Sequence, residues 1–312
     1  MIPWFDIGVA LMGLGSAWRA VMTRRVFDSA VAFVIFGLAL TIGWVRLDAI
    51  DVALTEAAIG SGLTGALLLG AANRLDRAPV REDRPGTFIR MLLGLACAGL
   101  TGGLAAVVLS LPVMEPRQAL AAAENAGATG LLNPVNNALM AFRAIDTLLE
   151  KMVLIAVLIG VWSLSTDAAW GRRPGRPLPP PGHGPLTLFA RLLPPVGVLV
   201  AVHLLWVGAD APGGAFQGAT VLASMALLVR MASLGDAPPI GRRALRLIVA
   251  LGPAAFLGVG LAGMPLAGAP LAYPEAHAKT IILVVEFAML ASIGATLALL
   301  VIGPPVRERA AA

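Results

Sequence analysis

The sequence predicts an all-α, polytopic membrane protein with about nine transmembrane helices, its N-terminus outside and its C-terminus inside. Three observations predict it. Hydrophobic residues make up 58% and charged residues 13% of the 312-residue chain, and mean hydropathy is +0.85, far from the balance of a soluble domain. Apolar runs of about 18–25 residues recur, each long enough to cross a hydrocarbon core of roughly 30 Å as a helix, and barrel-like alternation is absent. Finally, when loops are assigned to alternate sides, eighteen of the 23 lysines and arginines fall on one side. The positive-inside rule makes that side cytoplasmic and requires an odd number of crossings.

The expected spans are roughly 2–20, 27–45, 49–71, 88–111, 145–165, 187–208, 213–234, 243–264 and 278–302. The first lacks the basic start of a cleavable signal, carries Trp4 and Asp6, and runs into basic residues, so it is expected to remain a helix. Spans one to three form a block, 1–86, ending in the charged run "NRLDRAPVREDRPG", which must be solvated. A second block, 87–170, holds two spans separated by an outer segment, 112–144, polar enough to lie at the surface. Then comes "GRRPGRPLPPPGHGP", 171–185, whose prolines and glycines cannot continue a helix and read as an extended inner linker. Such a linker fits a fusion of once-separate subunits and equally an ordinary cytoplasmic loop. The last block, 186–312, holds four spans.

Spans six and seven are joined by "GADAPGGAFQGAT", 208–220. It has no Lys-Ser/Thr ending of a phosphate loop, and Asp210 repels phosphate. Pro212, Gly213 and Gly214 suit a tight helix-to-helix reversal, while Gly218 and Ala219 permit close packing of the seventh span. Asp210 or Gln217 is expected to meet the free amides at the start of that helix.

Ionisable side chains inside lipid cost about 2.5–3.5 kcal/mol each on insertion scales, so each buried one is a candidate for function. In "AIDVALTEAAIGSGLTG", 49–65, Glu56 lies deep enough to exchange a proton with a water chain, and Asp51 and Thr55 share a face. The alternative makes Asp51 and Thr55 a helix-start cap and Glu56 a paired structural residue. In "FRAIDTLLEKMVLIAVLIG", 142–160, Arg143, Asp146 and Glu150 line one face, with Lys151 about 100° away. That face is either a salt-bridged anchor or the mouth of an ion path. Glu286, about eight residues into the last span, must be neutral or paired with another helix, because Lys279 is two turns away. His203, near Trp206, is a further candidate or a packing residue. On the assigned orientation these groups and Asp6 all fall in the outer half of the membrane, as an ion vestibule or as snorkelling side chains.

Topology accounts for the net charge of +5, and no aromatic-interleaved basic face suggests a nucleic-acid partner. The single cysteine, Cys97, excludes an intrachain disulfide and cysteine-rich metal or iron–sulfur ligation, so no metal or other cofactor is expected. There is no phosphate-loop lysine, HExxH or nucleophile elbow, which argues against an enzyme.

Three of these stretches carry a family resemblance. "AIDVALTEAAIGSGL", 49–63, resembles the C-terminal region of Mrp antiporter A subunits, which also occurs as a separate small subunit in membrane-bound hydrogenases. "FRAIDTLLE", 142–150, resembles the FRG-DTLGE pattern of the next segment of that region, and "GADAPGGAFQGA", 208–219, is similar to the GHNAPGGGF-GG loop of Mrp B subunits. Together they span nearly the whole chain in the family's order. The chain departs from the family at Ala209, which replaces a histidine, and at Ala144, Leu149 and Ala215, which replace glycines, so no role of that histidine is carried over.

The resemblance implies a fused subunit of an Mrp-type cation/proton antiporter or a related complex-I-like assembly in a bacterial cytoplasmic membrane. Its expected partners are antiporter-like membrane subunits and other small Mrp-type subunits, with H+ or Na+ as the transported ion. By motif, Glu56, Asp146, Glu150 and Glu286 are the matched carboxylates, and Asp51, Lys151 and His203 complete the set of ion-pathway candidates. The family's large antiporter domain does not precede the first block, so the chain is expected to need partners. The alternative is a non-conducting scaffold linking an antiporter-like subunit to a redox or carbon-uptake module.

Overall fold

The computed structural model describes residues 3–75, 86–112 and 117–306. Most of the charged run after the third expected span, and the C-terminal Arg307 and Arg309, lie outside the described residues. Those described are mainly helical, with no strand beyond two isolated bridges to Pro305.

Helix α1 (Pro3–Met22) packs along α2 (Val26–Arg46). One end of this pair is pinned by Arg46, whose Nε donates to Asp6 at 2.6 Å while the guanidinium sits 5.6 Å from the Phe5 ring centroid. Helix α3 (Ile50–Thr55) passes into a wider, π-helical stretch, Glu56–Leu63, and resumes as α4 (Thr64–Leu75), the whole leaning on α2. Helix α5 (Thr87–Ser110) follows, with every residue exposed, and then α6 (Arg117–Glu124).

A short helix, α7 (Pro134–Asn137), starts where Asn133 accepts hydrogen bonds from the Val135 and Asn136 amides and Pro134 supplies a first position that needs no donor. A π-helical turn, Ala138–Phe142, and a break at Arg143 lead to α8 (Ala144–Ser163). The remaining helices are α9 (Pro185–Val207), α10 (Ala215–Met231), α11 (Arg243–Ala267) and α12 (Ala278–Ile302).

By length and composition, seven helical segments among the described residues can cross a membrane. These are α1, α2, the continuous segment Ile50–Asn73, α5, α9, α11 and Glu275–Ile302. The other two expected spans are also helices. Helix α8 carries Asp146, Glu150 and Lys151 in its first half, and α10 has 17 residues, about 25 Å of helix.

The core lies in the C-terminal half. Helix α12 is apolar nearly all round because α8, α10 and α11 all pack on it, with Phe256, Leu205, Ile282 and Val285 fully buried. Ala215, Gly218, Ala219 and Ala223 let α10 sit close between α9 and α12, as small residues do between helices in lipid. A β-carbon on Gly218 would lie 2.5 Å from the Ala201 carbonyl oxygen.

Two expectations change here. The segment 112–144 is not simply a surface loop: Leu131, Asn133, Asn136, Asn137 and Met140 are buried. The amides of Leu132 and Asn133 donate to the Ala209 carbonyl at 3.0 and 3.1 Å, so this stretch folds back onto the hairpin between α9 and α10. The linker 171–185 is non-helical as its prolines require, but its first residues are tied down. The Ile240 amide donates to the Arg172 carbonyl and the Gly175 amide to the Pro304 carbonyl, both at 3.0 Å, with Pro174 buried between.

Candidate functional site: a cavity with charged groups where three segments meet

The hairpin 208–214 is the hub of the site. Gly213 and Gly214 have φ of 154° and 137°, a region that a side chain resists, and a β-carbon on Gly213 would sit 2.5 Å from the Leu204 carbonyl oxygen. This turn aims two free amides at two carboxylates. The Gly213 amide donates to Asp51 Oδ1 at 2.9 Å across 162 residues of sequence, and the Ala215 amide, first of α10, bonds Glu286. Both carboxylates thereby satisfy donors that the turn and the helix start leave open. The sequence assigned these donors to Asp210 or Gln217; instead Asp210 pairs with Lys279 at 2.6 Å, and Gln217 Nε2 donates to Thr55 Oγ1 at 3.2 Å.

The asparagines ahead of and within α7 complete the frame. Asn133 Nδ2 donates to the Ala211 carbonyl at 3.0 Å and, at 3.4 Å, to Asp51. Asn136 Nδ2 reaches the Gly208 carbonyl at 3.0 Å and Glu286 at 3.2 Å. Neither residue is among the sequence candidates. The polar cluster "NPVNN", with an Asn-Pro helix start inside an apolar stretch, is the signal that points to them.

Asp51, Asn136, Gly213, Gln217 and Glu286 help to bound a cavity of about 540 Å³. Asp51, Glu150, Lys151 and Glu286 line it together, so four of the seven candidates meet there, from α3, α8 and α12. Lys151 is buried, with its ammonium 3.3 Å from Glu150 and 4.2 Å from the centroid of the Phe216 ring. A buried ammonium needs such compensation. Tyr273, just outside α12, closes the neighbourhood by donating to the Met140 carbonyl at 2.9 Å. Burial, and then the charge of Glu286, push its hydroxyl well above the ordinary tyrosine range, so it stays a donor.

The other three candidates lie elsewhere. Glu56 opens the π-helical stretch on the side facing α2, where a β-carbon on Gly37 would press on Ser61 Oγ and Glu56 Oε1. It has no hydrogen-bond partner among the described residues, and Ser61 Oγ is buried and unpaired beside it. Asp146 accepts from Arg143 Nε at 2.6 Å at the exposed start of α8. The expected shared face of Arg143, Asp146 and Glu150 therefore divides: the first two pair together, and Glu150 turns to Lys151. His203 is exposed on α9. Among the described residues no three His, Cys, Asp or Glu side chains group as metal ligands.

Two family models match separate stretches of the chain. Residues 11–77 match the model of the MbhD family, a subunit of MBH, and residues 185–304 match the domain related to the MnhB subunit of Na+/H+ antiporter. A chain of the Mrp complex from a Dietzia species matches with 26% identity and a TM-score of 0.71, over 97% of this chain and 35% of that one. The chain thus spans about a third of the Mrp-complex chain it matches. A chain of the membrane-bound sulfane sulfur reductase, an archaeal respiratory membrane complex, shares the fold with 22% identity and a TM-score of 0.55, over 69% of this chain and 97% of that one. No curated protein sequence matches. The chain thus matches the MbhD model before the linker and the MnhB-related model after it, is similar over nearly its whole length to part of an Mrp-complex chain, and is a multi-pass membrane protein.

Proposed function

We propose that this chain contributes part of a proton or sodium route to a multisubunit Mrp-type cation/proton antiporter or a related complex-I-like assembly. In this reading it crosses a bacterial cytoplasmic membrane nine times, N-terminus outside and C-terminus inside, beside antiporter-like subunits and other small Mrp-type subunits. The observation that carries the proposal is the cavity lined at once by Glu150, Lys151 and Glu286. Two acids and a buried amine around one cavity provide sites that can take and release a proton, or balance a cation, without crossing bare hydrocarbon.

Asp51 is the positioning residue of this route, since its carboxylate is engaged by the hairpin amide and Asn133. Glu56, beside the unpaired Ser61, is a second station toward α2. Asp146 with Arg143 anchors the start of α8, and His203 stays outside the route.

The scaffold reading has its own support in α5, exposed along its whole length, which suits a helix that docks on a neighbouring subunit. Glu286→Gln separates the two readings, because glutamine keeps the volume and an acceptor for the Ala215 amide while removing the titrating proton. The conduction reading predicts a complex that assembles normally and loses antiport in vesicles. Normal antiport from that assembled complex would favour the scaffold.

A further inference from the structure

The end of the molecule away from the Glu286 cavity carries a second feature. There the linker, the loop after α10 and the end of α12 enclose a cavity of about 400 Å³ lined by Arg172, Arg173, Arg176 and Asp236. Asp236 also lines an adjoining, almost wholly apolar groove of about 420 Å³, bounded by Pro194, Val198, Met225, Val229 and Leu299. A basic cup thus continues into a greasy trench between α9, α10 and α12.

Among the described residues the charge is not balanced. Asp236 is already taken by an ion pair with Arg230 and lies 3.7 Å from Arg173. The side chains of Arg172 and Arg176 make no hydrogen bond or ion pair among the described residues, and both are exposed. The backbone that presents them is fixed, because the Arg172 carbonyl accepts from Ile240 and the Arg176 carbonyl from Arg230 Nη2 at 2.8 Å.

We propose that this end of the molecule binds an anionic phospholipid, its phosphate over Arg172 and Arg176 and one acyl chain in the groove between Val198 and Met225. An acid would repel the phosphate if its charge were free, and here it is spent. A soluble anion would have no use for the apolar half, whereas a lipid fills both. The placement also suits the proposed inside face, where anionic lipids attract basic residues.

The test uses the complex purified and placed in nanodiscs of phosphatidylcholine alone or with phosphatidylglycerol, reading thermal stability and, by native mass spectrometry, retained phosphatidylglycerol. Phosphatidylglycerol should raise the melting temperature and remain bound. The double variant Arg172→Gln/Arg176→Gln should cut retention about tenfold, with stability in phosphatidylcholine unchanged. Val198→Trp, which fills the groove and leaves the arginines alone, should cut it as well. Equal retention by the double variant would overturn the proposal, and so would unchanged retention by Val198→Trp. Stabilisation by inorganic phosphate equal to that by phosphatidylglycerol would overturn it too, reassigning the cup to a free anion.

Discussion

Asp51 and Glu56 sit five residues apart on one continuous helical segment, yet their carboxylates live in opposite settings. Asp51 is buried and holds the Gly213 amide and Asn133, so it joins the first block to the hairpin of the last. Glu56 is half-buried, has no hydrogen-bond partner among the described residues, and rests against Gly37 and Gly60 on the α2 side. The difference separates two uses of a membrane carboxylate. A carboxylate engaged by fixed donors ties segments together, whereas one without described hydrogen-bond partners can be replaced at little structural cost.

Substitutions can break or sharpen that contrast. The largest loss of stability is expected from Gly213→Ala, because the new β-carbon meets both an unfavourable φ and the Leu204 carbonyl. A cost of about 2–5 kcal/mol follows, seen as a lower melting temperature of the complex or protease cleavage near the hairpin. Asp51→Ala strands the buried Gly213 amide and should cost about 1–3 kcal/mol, with Asp51→Asn recovering part of it through its remaining acceptor. If Asp51→Ala is as stable as the unaltered protein, Asp51 is no clamp.

On the other side of the contrast, Gly37→Ala crowds Ser61 and Glu56 and should cost about 1–2 kcal/mol, less if Ser61 changes rotamer. Glu56→Gln should change stability by no more than about 0.5 kcal/mol, since no described hydrogen bond is lost. A large destabilisation by Glu56→Gln would mean that Glu56, like Asp51, is structural.

Much of this was legible in the sequence. Run length and hydropathy place the long helices, because a span must be apolar over a fixed length whatever it packs against. The GADAPGG stretch reads as a reversal from its glycines alone, and the deep carboxylates stand out against apolar neighbours. What escaped was long-range. Asn133 and Asn136 look like surface residues until the chain folds back on the hairpin, and the amides they help to frame are met by Asp51 and Glu286 rather than by the nearer Asp210. Helical periodicity also misdirected one pair: Glu150 and Lys151 point about 100° apart on an ideal wheel. Their long side chains nevertheless meet at 3.3 Å. The wide turn over Glu56–Leu63 has no sequence signature beyond its two glycines.

The central claim is that the cavity at the junction of the segments is part of the ion route and that Glu286 titrates in it. The most direct measurement compares antiport by assembled complexes carrying Glu286→Gln, with Asp51→Asn as the structural control, in the same vesicles across a range of pH. The account predicts that Glu286→Gln lowers the rate at least about tenfold at every pH without altering assembly, while Asp51→Asn lowers stability more than rate. Full antiport by a stably assembled Glu286→Gln complex would contradict it.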